Sequence, residues 1–273
     1  MMLKKMTLGD IQNTELKMLI EFDRVARKYG LRYSLAFGTL IGAVRHKGFI
    51  PWDDDIDLTM PRPDYEKLLR LNRKKKLWPD NLFLASFEDK TLDAPYMKLF
   101  DRKTKVSEKH YKQKDVKSVW IDIFPVDGLP DSEKRIKLHY RIGMILVKLN
   151  IISAVNTGYG KTGFKIVVKA VFLKPLAKLI GRRRISALQR RLGLKYSYSH
   201  SPKCGMISWA YDGPGQVLTK EKYEEMTELF FEGHYFLATA AYDEYLTGIY
   251  GDYMTIPPEE DRLTHELEAY YEE

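Results

Sequence analysis

The chain has 273 residues, 44% of them apolar and 12% aromatic, enough for one large domain or a domain with a sizeable appendage, and too apolar for global disorder. Its single cysteine, Cys204, excludes an intrachain disulfide and a multi-cysteine zinc site, fits a reducing compartment and reads as inert packing. The net charge of +8 is uneven: residues 134–211 hold seventeen Lys or Arg and no Asp or Glu, which leaves −9 for the remainder. An acidic body joined to a basic segment is expected, and the basic segment suits a phosphate-rich partner such as anionic lipid, nucleic acid or polyphosphate.

The N-terminal Met-Met-Leu-Lys-Lys-Met lacks the apolar h-region of a signal peptide, and no run of eighteen apolar residues occurs, so neither a leader nor a transmembrane helix is predicted. Apolar residues three or four apart from Asp10 to Tyr29 predict an amphipathic helix stopped by Gly30. Leu31 to Phe37 alternates as a strand, Gly38-Thr39 turns the chain, and Leu40 to Val44 reads as a short helix. Ile56 to Met60 reads as a strand, followed by a helix to about Lys75 with Asp64 as its N-cap and Trp78-Pro79 as its breaker. Further strands are predicted at Leu82–Phe87, Tyr96–Asp101 and Ser118–Phe124, the last ended by Pro125. Strands with interposed helices indicate an α+β (α/β-type) core.

From Ser132 the character changes. Basic helices are predicted over Ile136–Val155 and Phe164–Ile180, separated by Gly158–Gly160, with another from Gly181 to about Leu192. Tyr196–Pro202 reads as a linker, Cys204–Ala210 as a short strand, Lys220–Phe230 as exposed helix or turn, Tyr242–Tyr250 as a helix closed by Gly251, and Leu263–Tyr271 as a last short helix.

The chemistry concentrates between Gly38 and Asp57. In a strand, Asp55 and Asp57 point to one face with Cα atoms roughly 6.5–7 Å apart, a spacing at which two carboxylates converge on a pair of Mg²⁺ ions. A bare Asp-x-Asp is equally the mark of a solvated acidic turn, but the intervening Ile56 implies a strand with a buried face. Asp122, in the otherwise apolar Trp120-Ile121-Asp122-Ile123-Phe124, is costly to bury alone; a salt bridge satisfies it, and so does a role as third metal ligand, the reading favoured here. Gly38 and Thr39 offer backbone N–H groups and a hydroxyl to a phosphate, and Arg45, His46 and Lys47 offer a cationic clamp for a diphosphate, each with a solvated surface charge as the plainer alternative.

These residues carry a resemblance. The Gly-Thr turn, the carboxylate pair and a third carboxylate on a later strand resemble the nucleotidyltransferase superfamily. More closely, Phe37-Gly38-Thr39-Leu40-Ile41-Gly42-Ala43-Val44-Arg45-His46-Lys47-Gly48-Phe49-Ile50-Pro51-Trp52-Asp53-Asp54-Asp55-Ile56-Asp57 resembles the signature of the LicD family, phosphocholine transferases of bacterial surface polysaccharides related to fukutin-type proteins. Trp120–Pro125 is similar to that family's second block. Tyr250-Gly251-Asp252-Tyr253-Met254, with Pro257-Pro258, Arg262 and His265, is similar to its C-terminal block; the basic middle matches nothing in it.

The resemblance implies a nucleotidyltransferase-like mixed sheet flanked by helices, with residues 1–130 as catalytic core and 205–273 as the part completing the active site; the charge pattern makes 131–204 a basic helical insertion between them. The resemblance implies metal-dependent transfer of a phosphorylated alcohol, typically phosphocholine, from a CDP-activated donor to a sugar hydroxyl of a cell-surface glycan or teichoic acid precursor, with release of CMP. Asp55, Asp57 and Asp122 would hold two Mg²⁺, with Mn²⁺ as substitute, and either Asp122 or a neighbouring acid would take the acceptor proton. Asp53 and Asp54 stay unassigned. His265 joins the catalytic candidates, and Asp252 and Arg262 the substrate-binding ones.

A choline donor calls for aromatic rings, and Trp52, Trp209, Tyr211, Tyr235 and Tyr253 are available, each equally an ordinary packing ring. His234 reads as structural or surface. The basic segment is expected to hold the protein peripherally on the anionic inner face of the cell membrane, or else to pack its apolar side on the catalytic body; no nucleic-acid module is present. Two other readings share the same acids: a nucleotidyltransferase moving an NMP to a small acceptor, and a non-catalytic membrane-docked scaffold.

Overall fold

The computed structural model describes residues 3–107, 118–154, 174–262 and 267–272. In chain order these form β1 (Leu3–Lys5), α1 (Leu8–Tyr29), β2 (Ser34–Leu35), α2 (Phe37–Ile41) running into a π-helical turn (Gly42–His46), β3 (Asp57–Pro61), α3 (Arg62–Lys74), β4 (Leu82–Ala85), β5 (Met97–Asp101) and β6 (Thr104–Ser107). There follow β7 (Trp120–Leu129), α4 (Glu133–Ala154), α5 (Lys174–Ile180), α6 (Arg182–Gly193), β8 (Lys203–Gly205), β9 (Leu218–Thr219), α7 (Lys220–Glu224), β10 (Met226–Phe231), β11 (His234–Thr239), α8 (Tyr242–Tyr250) and β12 (Glu268–Glu272).

The central sheet has the order β2-β3-β7-β5-β4, with β8 and β9 continuing from the far end of β7. It is mixed, as expected: β3 and β7 run parallel, while β2–β3, β7–β5 and β5–β4 are antiparallel. α1 covers it with a buried stripe including Ile11, Met18, Leu19, Phe22 and Val25. A capping box opens that helix: the Thr7 hydroxyl accepts from Asp10 N–H at 3.1 Å and the Asp10 carboxylate accepts from Thr7 N–H at 2.8 Å. Gly30 closes it at φ 58°.

The principal core joins these strands to Cys204, Met206, Leu218, Tyr223, Phe231, Phe236, Tyr245 and Tyr253 from the last third of the chain. Cys204 is buried, and burial pushes its thiol up to about 12, in keeping with inert packing. A second, smaller cluster of Leu129, Ile136, Tyr140, Ile207 and Ala210 seats α4.

Several elements differ from expectation. Pro125 does not end β7, which runs to Leu129. Asp122 N–H points to β3, where it donates to Ile56 O at 2.9 Å, so by alternation the nitrogen of Pro125 points the other way. There it meets the gap between β5, paired to residues 120–123, and β8, paired to 127–129, and no ladder donor is missing. Asp64 is not the N-cap of α3: the helix starts at Arg62, because Pro is tolerated in a first turn, and the Asp64 carboxylate instead receives Arg32 at 2.8 Å. The strand foreseen over 31–37 shrinks to β2, since Phe37 already opens α2.

Lys220–Phe230 divides into α7 and β10, and β10 forms a hairpin with β11 through Glu232 and Gly233, both at positive φ (48° and 82°). The C-terminal stretch foreseen as helix ends in β12, sandwiched between β1 and β6. The part of the second basic helix before residue 174, and the Gly158–Gly160 break, lie outside the described residues.

Candidate active site

The parallel pairing of β3 with β7 sets Asp57 opposite Asp122, and the antiparallel pairing of β7 with β5 sets Lys98 opposite Asp122 on the other side. Three charged side chains therefore form a row across three adjacent strands, about 4.8 Å apart along the hydrogen-bonding direction. The Lys98 ammonium lies 3.1 Å from Asp122 Oδ1, and Trp120 Nε1 donates to Asp122 Oδ2 at 3.0 Å. Lys98 is buried, with its Nζ 4.0 Å from the centre of the Trp120 ring. Asp122 thus has the cation that burial demands, supplied by a lysine that the sequence reading did not single out.

Asp57 sits among acids. Burial pushes its carboxyl well above the usual carboxylate range, followed by the charges of Asp55, Asp122 and Asp53, with Lys98 opposing. Glu15, on the buried side of α1, was also missed. Burial and then Asp55, Asp54, Asp53 and Asp57 raise its carboxyl too, and its Oε2 has no hydrogen-bond partner among the described residues. Its only sequence signal is an acid at a position where the helical period calls for an apolar residue.

The Gly-Thr turn shapes this site from behind. The Thr39 hydroxyl is buried and accepts from Asp57 N–H at 2.9 Å, which fixes the start of β3. A side chain at Gly38 would collide with the Asp53 carboxylate, and Gln12 Nε2 donates to Asp53 O at 2.8 Å. Phe37, just before, is held at φ 47°, a strained conformation for a bulky residue and one that clusters at functional turns.

The basic triplet disperses. Arg45 Nη1 donates to Tyr253 O at 2.6 Å and Thr255 O at 3.3 Å, and its Nε to His46 Nε2 at 2.9 Å. It ties the first block to the C-terminal block. His46 stands edge-on to Trp52, and the Arg262 guanidinium lies 4.3 Å from the Trp52 ring centre on the same indole. Burial, then the Arg45 charge, lowers the affinity of His46 for a proton. Lys47 is exposed in a left-handed turn (φ 62°), and Asp252 is exposed and receives Thr255 Oγ1 at 2.6 Å, holding a turn. His265 lies outside the described residues.

Of the candidate rings, Trp209 and Tyr211 come together, 6.2 Å apart, and Trp209 packs at 6.3 Å from both Tyr96 and Phe124. Phe124 follows Asp122 by two residues and shares its face of β7, so this aromatic wall adjoins the charged row. Tyr253 is instead buried, donating to Asp243 Oδ1 at 2.7 Å. Tyr235 and His234 lie exposed on the β10–β11 hairpin.

Among the described residues no three His, Cys, Asp or Glu side chains stand as a ready-made ligand set for a metal. The donor chemistry nonetheless fits Mg²⁺: the donors are all oxygen, burial and then the neighbouring acids disfavour the charged form of Asp57 where no cation joins them, and Mg²⁺ commonly takes only one or two carboxylates and completes its shell with substrate phosphates and water.

Residues 30–141 match the family model described as LicD/FKTN/FKRP, nucleotidyltransferase domain. Over 277 residues, covering 98% of this chain and 99% of the relative, the chain is 32% identical to the lipopolysaccharide cholinephosphotransferase LicD of Haemophilus influenzae. RP689 of Rickettsia prowazekii and RT0683 of Rickettsia typhi are each 49% identical to it over 37 residues, 14% of this chain. The family match spans the strands that carry Asp57, Asp122 and Lys98, the likeness to the Haemophilus protein runs the length of both chains, and the chain accordingly belongs to the LicD family of transferases.

Proposed function

We propose that this protein transfers phosphocholine from CDP-choline to a sugar hydroxyl of a lipopolysaccharide or related cell-surface glycan precursor, a teichoic acid precursor included, releasing CMP. The observation that carries this reading is the row Asp57–Asp122–Lys98, with Asp55 near enough for its charge to act on Asp57, in a chain similar over its whole length to a lipopolysaccharide cholinephosphotransferase. The acceptor oxygen attacks the phosphorus that bears choline. The new P–O bond forms as the P–O bond to the CMP phosphate breaks, CMP leaves with the electron pair, and the hydroxyl proton passes to a carboxylate of the cluster. Asp55, Asp57 and Asp122 would hold Mg²⁺, or Mn²⁺ in its place, which supplies charge neutralisation for the diphosphate and the departing CMP.

Asp122 is already held by Lys98 and Trp120, and Lys98 brings a cation to the place where phosphate charge gathers. The wall of Tyr96, Phe124, Trp209 and Tyr211 suits a trimethylammonium group, which aromatic faces attract.

The test is incubation of the purified chain with Mg²⁺, a glycan acceptor and a panel of CDP-alcohols. CMP release is expected with CDP-choline, lost in EDTA. Pyrophosphate release from a nucleoside triphosphate, with CDP-alcohols untouched, would show a nucleotidyltransferase instead.

A further inference from the structure

Helix α4 has two apolar faces. Ile136, Tyr140 and Val147 are buried on one of them. There a methyl at Gly143 would stand 2.8 Å from Ala210 Cβ, and Asn150 Nδ2 donates to Ser186 Oγ at 2.7 Å and Gln189 Oε1 at 2.8 Å on α6. The opposite face carries Leu138, Ile142 and Ile145, spaced four and three residues so that they align along the helix. They are 57%, 40% and 59% exposed. Lys134, Lys137, Arg141 and Lys148 flank this line and are exposed as well. Elsewhere in the basic segment, Leu179 of α5 and Leu188 of α6 are exposed too, as are Arg184 and Arg191.

Contiguous apolar side chains held in water with a charged rim mark a docking surface. Charge selects the occupant. No acid occurs from 134 to 211, so a second copy applied through this face would set like charges against each other. Nucleic acid would pair the bases but leave the Leu and Ile side chains in water. An anionic leaflet satisfies both: headgroups neutralise Lys and Arg, and the acyl boundary takes the apolar line. No helix among the described residues is long and apolar enough to cross a membrane, so the contact is interfacial.

We propose that the outer face of α4 docks on an anionic lipid surface, with the helix lying in the plane of the interface. The inference goes beyond the transfer reading and does not depend on it. Co-sedimentation of the full chain with phosphatidylglycerol-containing vesicles at low salt should pellet it, and pure phosphatidylcholine vesicles should not. The variant Leu138→Gln/Ile142→Gln/Ile145→Gln, altered only at exposed positions, should bind about tenfold more weakly with an unchanged thermal melt. Lys137→Gln/Arg141→Gln/Lys148→Gln should lose roughly fivefold per charge removed and its residual binding should respond less to salt. Failure to pellet with anionic vesicles, pelleting that both variants leave intact, or a face whose loss changes only self-association or RNA binding would each overturn the proposal.

Discussion

Asp57 and Lys98 show how one row of side chains sets opposing demands on stability and function. Asp57 holds its proton more tightly folded than unfolded, because burial and the charges of Asp55, Asp122 and Asp53 penalise the carboxylate. Such a group contributes stability that is full below its unfolded value near 3.8 and is lost as pH rises through the folded value. Glu15 has the same sign. In EDTA, stability should therefore decline from acid toward neutral pH. Asp57→Asn should flatten that decline and raise the Tm at about pH 8 by a few degrees, while lowering transfer by about 10²-fold or more; melts across pH and CMP assays read the two effects separately. Lys98→Met should do the opposite to stability. It strips a buried carboxylate of its cation, at a cost of about 3–5 kcal/mol, measurable by urea unfolding. The acids were legible as chemistry, since carboxylates this dense need cations. Lys98 and Glu15 were not, because a lone Lys in a strand or Glu in a helix carries no signal until packing shows what it faces.

At the scale of elements, close backbone approach decides what the segments tolerate. α8 crosses the 3₁₀ segment Ala210–Gln216 so tightly that a methyl at Gly248 would collide with the Gly215 carbonyl oxygen, and one at Gly215 with that of Gly248. Gly248→Ala should cost about 1–3 kcal/mol. Gly9→Ala, in the first turn of α1 where an added methyl meets only Thr7 Oγ1 at 3.9 Å, should gain about 0.5–1 kcal/mol; paired urea melts distinguish the two. Helix α1 was readable because its period and its Gly30 stop agree with its tertiary environment. The β10–β11 hairpin was not: its turn is Glu232-Gly233 rather than Asn-Gly, so no standard two-residue turn signal joins the two strands. The Glu-Ala-Tyr-Tyr-Glu of β12 is neutral between helix and strand, and its strand partners, β1 and β6, come from distant parts of the chain.

Across the whole molecule, a buried ion pair between α3 and β7 lies directly against the basic helix α6. Arg62 at the start of α3 makes a bidentate contact to Asp127 of β7 at 2.6 and 3.0 Å, and the Asp127 carboxylate occupies the space where a side chain at Gly193 of α6 would sit. Arg62→Met should lower stability by about 3–5 kcal/mol, and adding Asp127→Leu should recover most of it, because the penalty comes from the charge left alone rather than from the lost attraction; a double-mutant cycle by chemical denaturation measures this. The sequence sufficed for the mixed α/β class, the charge division and the family, since each is written in residue types, their spacing or a continuous motif. The row Asp57–Asp122–Lys98, the use of Arg45 as a brace to Tyr253 and Thr255, and the exposed line Leu138–Ile142–Ile145 came only with the fold. Register, hydrogen-bond partners and solvent exposure depend on which distant segments meet, and no local pattern encodes that.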